Sequence, residues 1–197
     1  NGLIKVITGI RRCGKSFLLF ELYHEYLVST GVSEDNIVEL VLDEISYAKY
    51  RNPMELDQYI RAAVSDKKQK YYVFIDEIQK VSEIQNPYLD DKEAKIGFVD
   101  VLLGLMKLKN VDLYVTGSNS KMLSSDLLTE FRGRGDEIRM NPLTFAEFYS
   151  AYEGDKRNAW REYYTYGGMP FVLSLKTHEE RSKSVSYTHL RAHETGR

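Results

Sequence analysis

An α/β fold organised as a doubly wound parallel sheet is what this chain of 197 residues predicts, and three observations predict it. Strand-like and helix-like segments alternate five times over roughly the first 150 residues, the pattern that gives a parallel sheet with crossover helices. The loop Gly9-Ile10-Arg11-Arg12-Cys13-Gly14-Lys15-Ser16 joins the first strand to the first helix and fits G-x-x-x-x-G-K-[ST]. The apolar run Tyr71-Tyr72-Val73-Phe74-Ile75 ends in two carboxylates, Asp76 and Glu77. Such a run suits a central strand buried on both faces, and open sheets of this kind bind ligands at the carboxyl ends of their strands.

The elements follow in order. Leu3-Ile4-Lys5-Val6-Ile7-Thr8 reads as the first strand. From Ser16 to about Ser29, apolar residues at Leu18, Leu19, Leu22, Tyr26 and Leu27 form a helical stripe, and Gly31 closes the helix. Residues 36–42 form a second strand. Asn52 caps the next helix with Pro53 at its first position, and Leu56, Tyr59, Ile60, Ala63 and Val64 keep helical spacing. The third strand is the run ending at Asp76. The polar segment from Ser82 to Lys95 is expected to be a loop, and Ile96 to Leu108 a helix. The fourth strand, Val111 to Asn119, ends in small polar residues; Ser120 to about Phe131 is helical, and Asp136 to Met140 is an edge strand. Thr144 and Glu147 make a capping box for a further helix, and a last helix lies around Trp160–Tyr166. Residues 1–150 thus form a core, with the start of a second, helical domain over 151–183.

The loop has a specific chemistry. Between a strand and a helix N-terminus, its backbone N–H groups turn inward around a phosphate chain. The phosphate-binding set is therefore Gly9, Ile10, Arg11, Arg12, Cys13, Gly14, Lys15, Ser16 and Phe17. Lys15 reaches the β- and γ-phosphates, and the Ser16 hydroxyl ligates Mg²⁺. Gly9 and Gly14 leave room for the tight turn and the phosphates. Arg11 and Arg12 flank the tip, to contact phosphates or pair with acids on a partner domain. Cys13 fills a small loop position and has no catalytic role.

Asp76 is the second metal residue, holding Mg²⁺ beside Ser16. Glu77 points elsewhere and is the candidate base for an attacking water. If the fourth strand neighbours the third, Thr116-Gly117-Ser118-Asn119 lies beside Asp76. Ser118 or Asn119 then serves as a polar contact to the water or the γ-phosphate. Arg132 and Arg134 follow in a Gly-punctuated loop, with Arg134 the preferred arginine finger, in cis or towards a neighbouring copy of the chain. The aromatic stretch Trp160-Tyr163-Tyr164-Tyr166 reads as core, with no nucleic-acid role, and His24 as a helix-surface residue.

Composition sets wide bounds. A formal charge of −2 disfavours a strongly basic, nonspecific nucleic-acid surface but leaves room for a local patch. No apolar run approaches the length of a membrane span. The single cysteine excludes an intramolecular disulfide and fits a reducing cytoplasm. The chain opens at Asn1 directly on its first strand, so upstream sequence is expected to be missing. Val185-Ser186-Tyr187-Thr188-His189-Leu190-Arg191-Ala192-His193-Glu194-Thr195 resembles a translated transposase sequencing adapter. Residues 184–197 are therefore expected to be an artefactual tail, and His189 and His193 are not read as a metal site.

Five stretches together resemble one family. They are the phosphate loop, Phe74-Ile75-Asp76-Glu77-Ile78-Gln79, Val115-Thr116-Gly117-Ser118-Asn119-Ser120, residues 132–148 from Arg132-Gly133-Arg134 to Phe148, and Tyr166-Gly167-Gly168-Met169-Pro170. The chain is similar over residues 3–183 to the AAA-type predicted ATPases of bacteria and archaea that carry an additional C-terminal domain of unassigned function. The resemblance implies a P-loop NTPase fold of the AAA (ASCE) type, a three-layer αβα sandwich with strand order 5-1-4-3-2 and the start of a helical lid. It also implies ATP as the nucleotide, Mg²⁺ as the metal, and ATP hydrolysis that drives or gates an unknown protein or nucleic-acid partner. Lys15 and Ser16 would serve the phosphates, Asp76 the metal, Glu77 as base, Asn119 or Ser118 as polar sensor, and Arg134 as the family's arginine, with a homo-oligomer if it acts in trans. The alternative is a nucleotide-gated binding module with little or no turnover. A small-substrate kinase is disfavoured by the Asp76-Glu77 pair.

Overall fold

The computed structural model describes residues 4–117, 131, 135–175 and 177. Five strands form one sheet: β1 (Ile4–Gly9), β2 (Ile37–Val41), β3 (Tyr71–Asp76), β6 (Val111–Thr116) and β7 (Gly135–Met140). Their spatial order is β2-β3-β6-β1-β7, which is 5-1-4-3-2 when the five strands are counted along the chain from the other edge. β2, β3, β6 and β1 pair in parallel, with Ile75 opposite Leu40 on one side and Val115 on the other. The expected α/β architecture and strand order are what the molecule has.

Side chains alternate across a strand, so parity decides which layer each residue joins. Tyr71, Val73 and Ile75 of β3, with Val111, Leu113 and Val115 of β6, pack with Leu56 and Ile60 of α2 (Pro53–Ala63) and Leu102 and Leu105 of α3 (Phe98–Leu105). Phe74 and Tyr114 face the other way and meet α1, which spans residues 15–29. Phe20 lies edge-on to Phe74 with centroids 6.1 Å apart, and the Tyr23 and Tyr114 hydroxyls are 2.8 Å apart. Burial pushes the Tyr114 phenol well above its ordinary pKa, which keeps it a neutral hydrogen-bonding group. Helices therefore cover both faces, and the parity that turns Phe74 towards α1 also turns Asp76 that way.

α1 departs from the expected stripe. Only Lys15–Phe17 and His24–Ser29 have α-helical turns; Leu18–Tyr23 winds as a π-helix. A π turn takes up an extra residue, so the inward face shifts along the sequence. Leu19 and Leu27 are buried and Phe20 and Tyr23 pack on the sheet, whereas Leu22 and Tyr26 are exposed. His24 is also more than a surface residue. Its Nδ1 lies 2.7 Å from Glu39 of β2 and its Nε2 2.9 Å from Glu34, and these carboxylates, Glu39 foremost, raise its pKa.

Capping follows the sequence closely. Asn52 Oδ1 accepts the Met54 amide at 2.9 Å, Gly31 takes a positive φ beyond α1, and Thr144 and Glu147 form their reciprocal capping box. The segment expected to be a loop contains a small hairpin instead. β4 (Ile84–Gln85) pairs antiparallel with β5 (Lys95–Ile96), so Ile96 belongs to a strand and α3 begins at Phe98. Asp90, Asp91 and Asn86-Pro87 sit in its turn, where polar residues hide a two-residue ladder from any periodicity argument. Of the helix expected over 120–131, residues 120–130 lie outside the described residues, and Phe131 is buried in a turn.

Two compact units result. Described residues up to Thr8 and from Ser16 to Ile138 form one; Gly9–Lys15 with those from Arg139 onward form the other. The second contains α4 (Phe145–Ser150), α5 (Lys156–Tyr166) and α6 (Pro170–Ser174), packed around Phe148, Ala159 and Val172. α6 was not legible in the sequence, because five residues carry no period. Tyr163 and Tyr166 join this small core as expected, but Trp160 is 54% and Tyr164 83% exposed, so half of the aromatic stretch faces solvent.

Candidate functional site

The loop from Gly9 to Lys15 is built around close approaches. Gly9 has φ +150°, and a Cβ there would stand 2.5 Å from the Met140 carbonyl oxygen and 2.8 Å from Cys13 Sγ. Only glycine fits. Gly14 and Arg12 also take positive φ, and the Cys13 amide donates to the Ile10 carbonyl to close a turn. Lys15 is only 6% exposed, and its Nζ donates to the carbonyls of Gly9 (3.0 Å) and Ile10 (3.1 Å), with Cys13 Sγ at 4.0 Å. Among the described residues no carboxylate pairs with it. A buried ammonium balanced only by carbonyl dipoles is a strong attractor for an anion. Cys13 is buried, while Ile10, Arg11, Arg12 and Phe17 are exposed; the Arg12 guanidinium lies 5.8 Å over the Phe171 ring.

The next residue begins the acidic part, which lies wholly within the sheet unit. Ser16 Oγ donates to Asp76 Oδ2 at 2.7 Å, across 60 positions of sequence. The Thr116 hydroxyl donates to Asp76 Oδ1 and accepts the Glu77 amide at 3.4 Å, so one side chain touches both acids. Asp76 is 6% exposed. Burial raises its pKa, with Glu77 and Asp43 adding to the rise and the Thr116 and Ser16 hydroxyls opposing it. A carboxylate held this way gains from a cation more than a solvated one does.

Glu77 sits in the left-handed region, φ 54° and ψ 49°, at the start of the turn Ile78–Lys80. For a residue with a Cβ this conformation costs on the order of 1 kcal/mol, and such strain concentrates at functional sites. It swings the Glu77 side chain out of the strand's alternation, where Gln79 Nε2 donates to its Oε2. Thr116 and Gln79 are the positions to which sequence reasoning gave no role. A hydroxyl two residues before Ser118, and an amide two residues after Glu77, were the available signals.

Ser118, Asn119 and Arg134, with Arg132, lie outside the described residues. The expected adjacency of the fourth and third strands does hold, and it puts Thr116 beside Asp76. The donors here fit a hard divalent cation. One hydroxyl and one carboxylate, oxygens only, suit Mg²⁺, which keeps several waters and takes few protein ligands. Among the described residues no cluster of three or more His, Cys, Asp and Glu suggests another metal, and no helix is long and apolar enough to cross a membrane.

Known proteins resemble this chain at three levels. A family model described as an AAA domain matches residues 1–149. An uncharacterized protein of Haemophilus influenzae is 34% identical over 175 residues, covering 86% of this chain and 40% of that protein. Uncharacterized protein MJ1544 of Methanocaldococcus jannaschii is 27% identical over 188 residues, covering 87% of this chain and 36% of its own length. The chain thus spans well under half the length of both relatives. The structure of C. elegans PCH-2 superposes with a TM-score of 0.52 at 17% identity, over 76% of this chain and 38% of that one, a likeness of fold. The match over residues 1–149, more than half the chain, carries the assignment: this chain belongs to the AAA domain family.

Proposed function

We propose that the chain binds ATP with Mg²⁺ at Gly9–Ser16 and hydrolyses it, and that the cycle drives or gates a protein or nucleic-acid partner. One observation carries the reading: the Ser16–Asp76 hydrogen bond, which joins the last residue of the phosphate loop motif to the acid at the end of β3. Family membership supports nucleotide binding. In this reading Lys15 exchanges its carbonyl partners for phosphate oxygens. Ser16 and Asp76 hold Mg²⁺, which neutralises charge on the phosphates when bound. Thr116 keeps the Asp76 carboxylate oriented. Glu77, aimed by its left-handed backbone and by Gln79, takes the proton from the attacking water. Ser118 or Asn119 orients that water, and Arg134 stabilises the transition state, in trans if copies associate. Residues 1–150 act as the core and 151–183 as the start of a lid, within a cytoplasmic protein.

The test is ATP binding and turnover by the chain beside Lys15→Ala and Glu77→Gln. Lys15→Ala should lose binding. Glu77→Gln should bind ATP as before while turnover drops at least ~100-fold, the usual worth of a general base. Equal turnover in Glu77→Gln would remove that residue from its role. Tight binding with no turnover in the unaltered chain would replace hydrolysis by nucleotide-gated binding.

A further inference from the structure

α5 carries a second surface that the nucleotide reading does not use. Arg157, Trp160, Arg161 and Tyr164 follow the i, i+3, i+4, i+7 rule, so they lie on one face of the helix, and all four are exposed. Soluble helices turn their apolar stripe inward; here the inward stripe is Ala159, Tyr163 and Tyr166, and the aromatic–arginine stripe is additional. Tyr164 is 83% exposed. Trp160 is fixed from beneath, with the Phe145 ring perpendicular at 4.9 Å and Tyr163 nearly parallel at 6.3 Å, yet it remains 54% exposed. Among the described residues neither guanidinium is ion-paired. Arg161 donates only to the neutral Asn158 side chain, at 3.1 Å. Asp155, the N-cap of α5, accepts the amides of Arg157 and Asn158. Two flat rings and two unneutralised cations are thus displayed together, each pair one helical turn apart.

We propose that this face of α5 binds single-stranded nucleic acid, stacking two successive bases on Trp160 and Tyr164 and holding the adjoining phosphates with Arg157 and Arg161. One turn of helix advances about 6 Å over four residues, close to the step of one nucleotide in an extended strand. Stacking platforms joined to cations along a track are how single strands are bound without sequence preference. An acidic peptide would satisfy the two arginines but leaves the ring faces without a partner, and a duplex hides its base faces. The proposal is independent of the ATP reading and survives if that reading fails.

Trp160 is the chain's single tryptophan, so its emission reports this face alone. The chain is titrated at low salt with single-stranded DNA and RNA oligonucleotides, a DNA duplex, and polyglutamate, following Trp160 fluorescence and the anisotropy of labelled oligonucleotide. Single strands should quench Trp160 and bind with a dissociation constant below ~10⁻⁴ M, the weak end of electrostatic nucleic-acid binding. The DNA and RNA arms tell which backbone is preferred. Tyr164→Ala should weaken binding about tenfold. Arg157→Ala with Arg161→Ala should weaken it further and flatten log K against log salt by about 1.4, for two phosphate contacts. Both variants alter exposed side chains, and an unchanged thermal midpoint checks their fold. Quenching by polyglutamate but not by oligonucleotides would overturn the proposal in favour of an acidic protein partner. Binding unmoved by these variants, or no quenching by any single strand, would overturn it as well.

Discussion

Thr116 Oγ1 donates to Asp76 and accepts the Glu77 amide, so the hydroxyl next to the candidate polar residues decides how both acids stand. Asp76 is held there against its own solvation. A carboxyl whose folded pKa is raised is most favourable when protonated; its contribution is present at low pH and is lost as pH rises through the folded value. Above that value the buried charge burdens the nucleotide-free fold. Asp76→Asn keeps an acceptor for Thr116 and can donate to Ser16 Oγ. It should therefore raise the thermal midpoint at pH 7.5 by about 2–4 °C, with the gap closing near pH 4, while Mg²⁺-dependent nucleotide binding is lost. A lower midpoint at pH 7.5 would show that the carboxylate stabilises the empty fold. The sequence disclosed Asp76 and Lys15 through type and spacing. It set Thr116 beside Asp76 through the expected strand adjacency but gave no role to Thr116 or Gln79, because those roles come from the hydrogen bonds of a strand neighbour and from one left-handed residue, neither of which has a period.

α1 shows where element-level reading breaks. The apolar residues at 18, 19, 22, 26 and 27 satisfy a 3.6-residue repeat, and the structure keeps only Leu19 and Leu27 of that set deeply buried. The π segment trades the rest for Phe20 and Tyr23, whose rings fill the space beside Phe74 and Tyr114. Aromatic packing on a sheet outweighs the helix's own repeat, and sequence periodicity cannot weigh that. The register is measurable. Leu19→Ala should cost about 2–5 kcal/mol in urea unfolding, whereas Leu22→Ala and Tyr26→Ala should stay within about 0.5 kcal/mol. Comparable losses at all three positions would restore the regular stripe. The same helix carries a pH-dependent tie. His24, raised by Glu39 and Glu34, adds stability that is complete below its unfolded value near 6.5 and is lost as pH climbs through the higher folded value. The gain is at most about 1 kcal/mol for such pairs. Stability should fall between pH 6 and pH 8, and His24→Gln should remove that part of the slope; an unchanged slope would detach the histidine from the effect.

At the scale of the whole molecule, the two compact units differ in how much apolar surface each can bury. The sheet unit has a core drawing on β1, β2, β3, β6, α2 and α3, with Val73, Ile75, Leu102 and Leu105 fully enclosed. The buried members of the helical unit's core are Phe148, Ala159 and Val172, backed by half-buried rings such as Tyr163 and Tyr152. Since burial of apolar area is the chief source of stability, and local opening follows the less buried parts, the units should open at different free energies. Native-state hydrogen exchange should find β3 and β6 amides exchanging only through global unfolding, and α4–α6 amides through a cheaper opening by a few kcal/mol. Gly9–Lys15 clusters with the helical unit. ATP with Mg²⁺ should therefore slow exchange at residues 9–17 and also in α4–α6, by up to RT ln(1 + [L]/Kd), about 2.7 kcal/mol at a hundredfold excess over Kd. Protection limited to the loop would mean that nucleotide binding does not reach α4–α6. Equal exchange free energies in β3 and α5, without nucleotide, would mean that the chain unfolds as one cooperative body and that the division by packing has no thermodynamic counterpart.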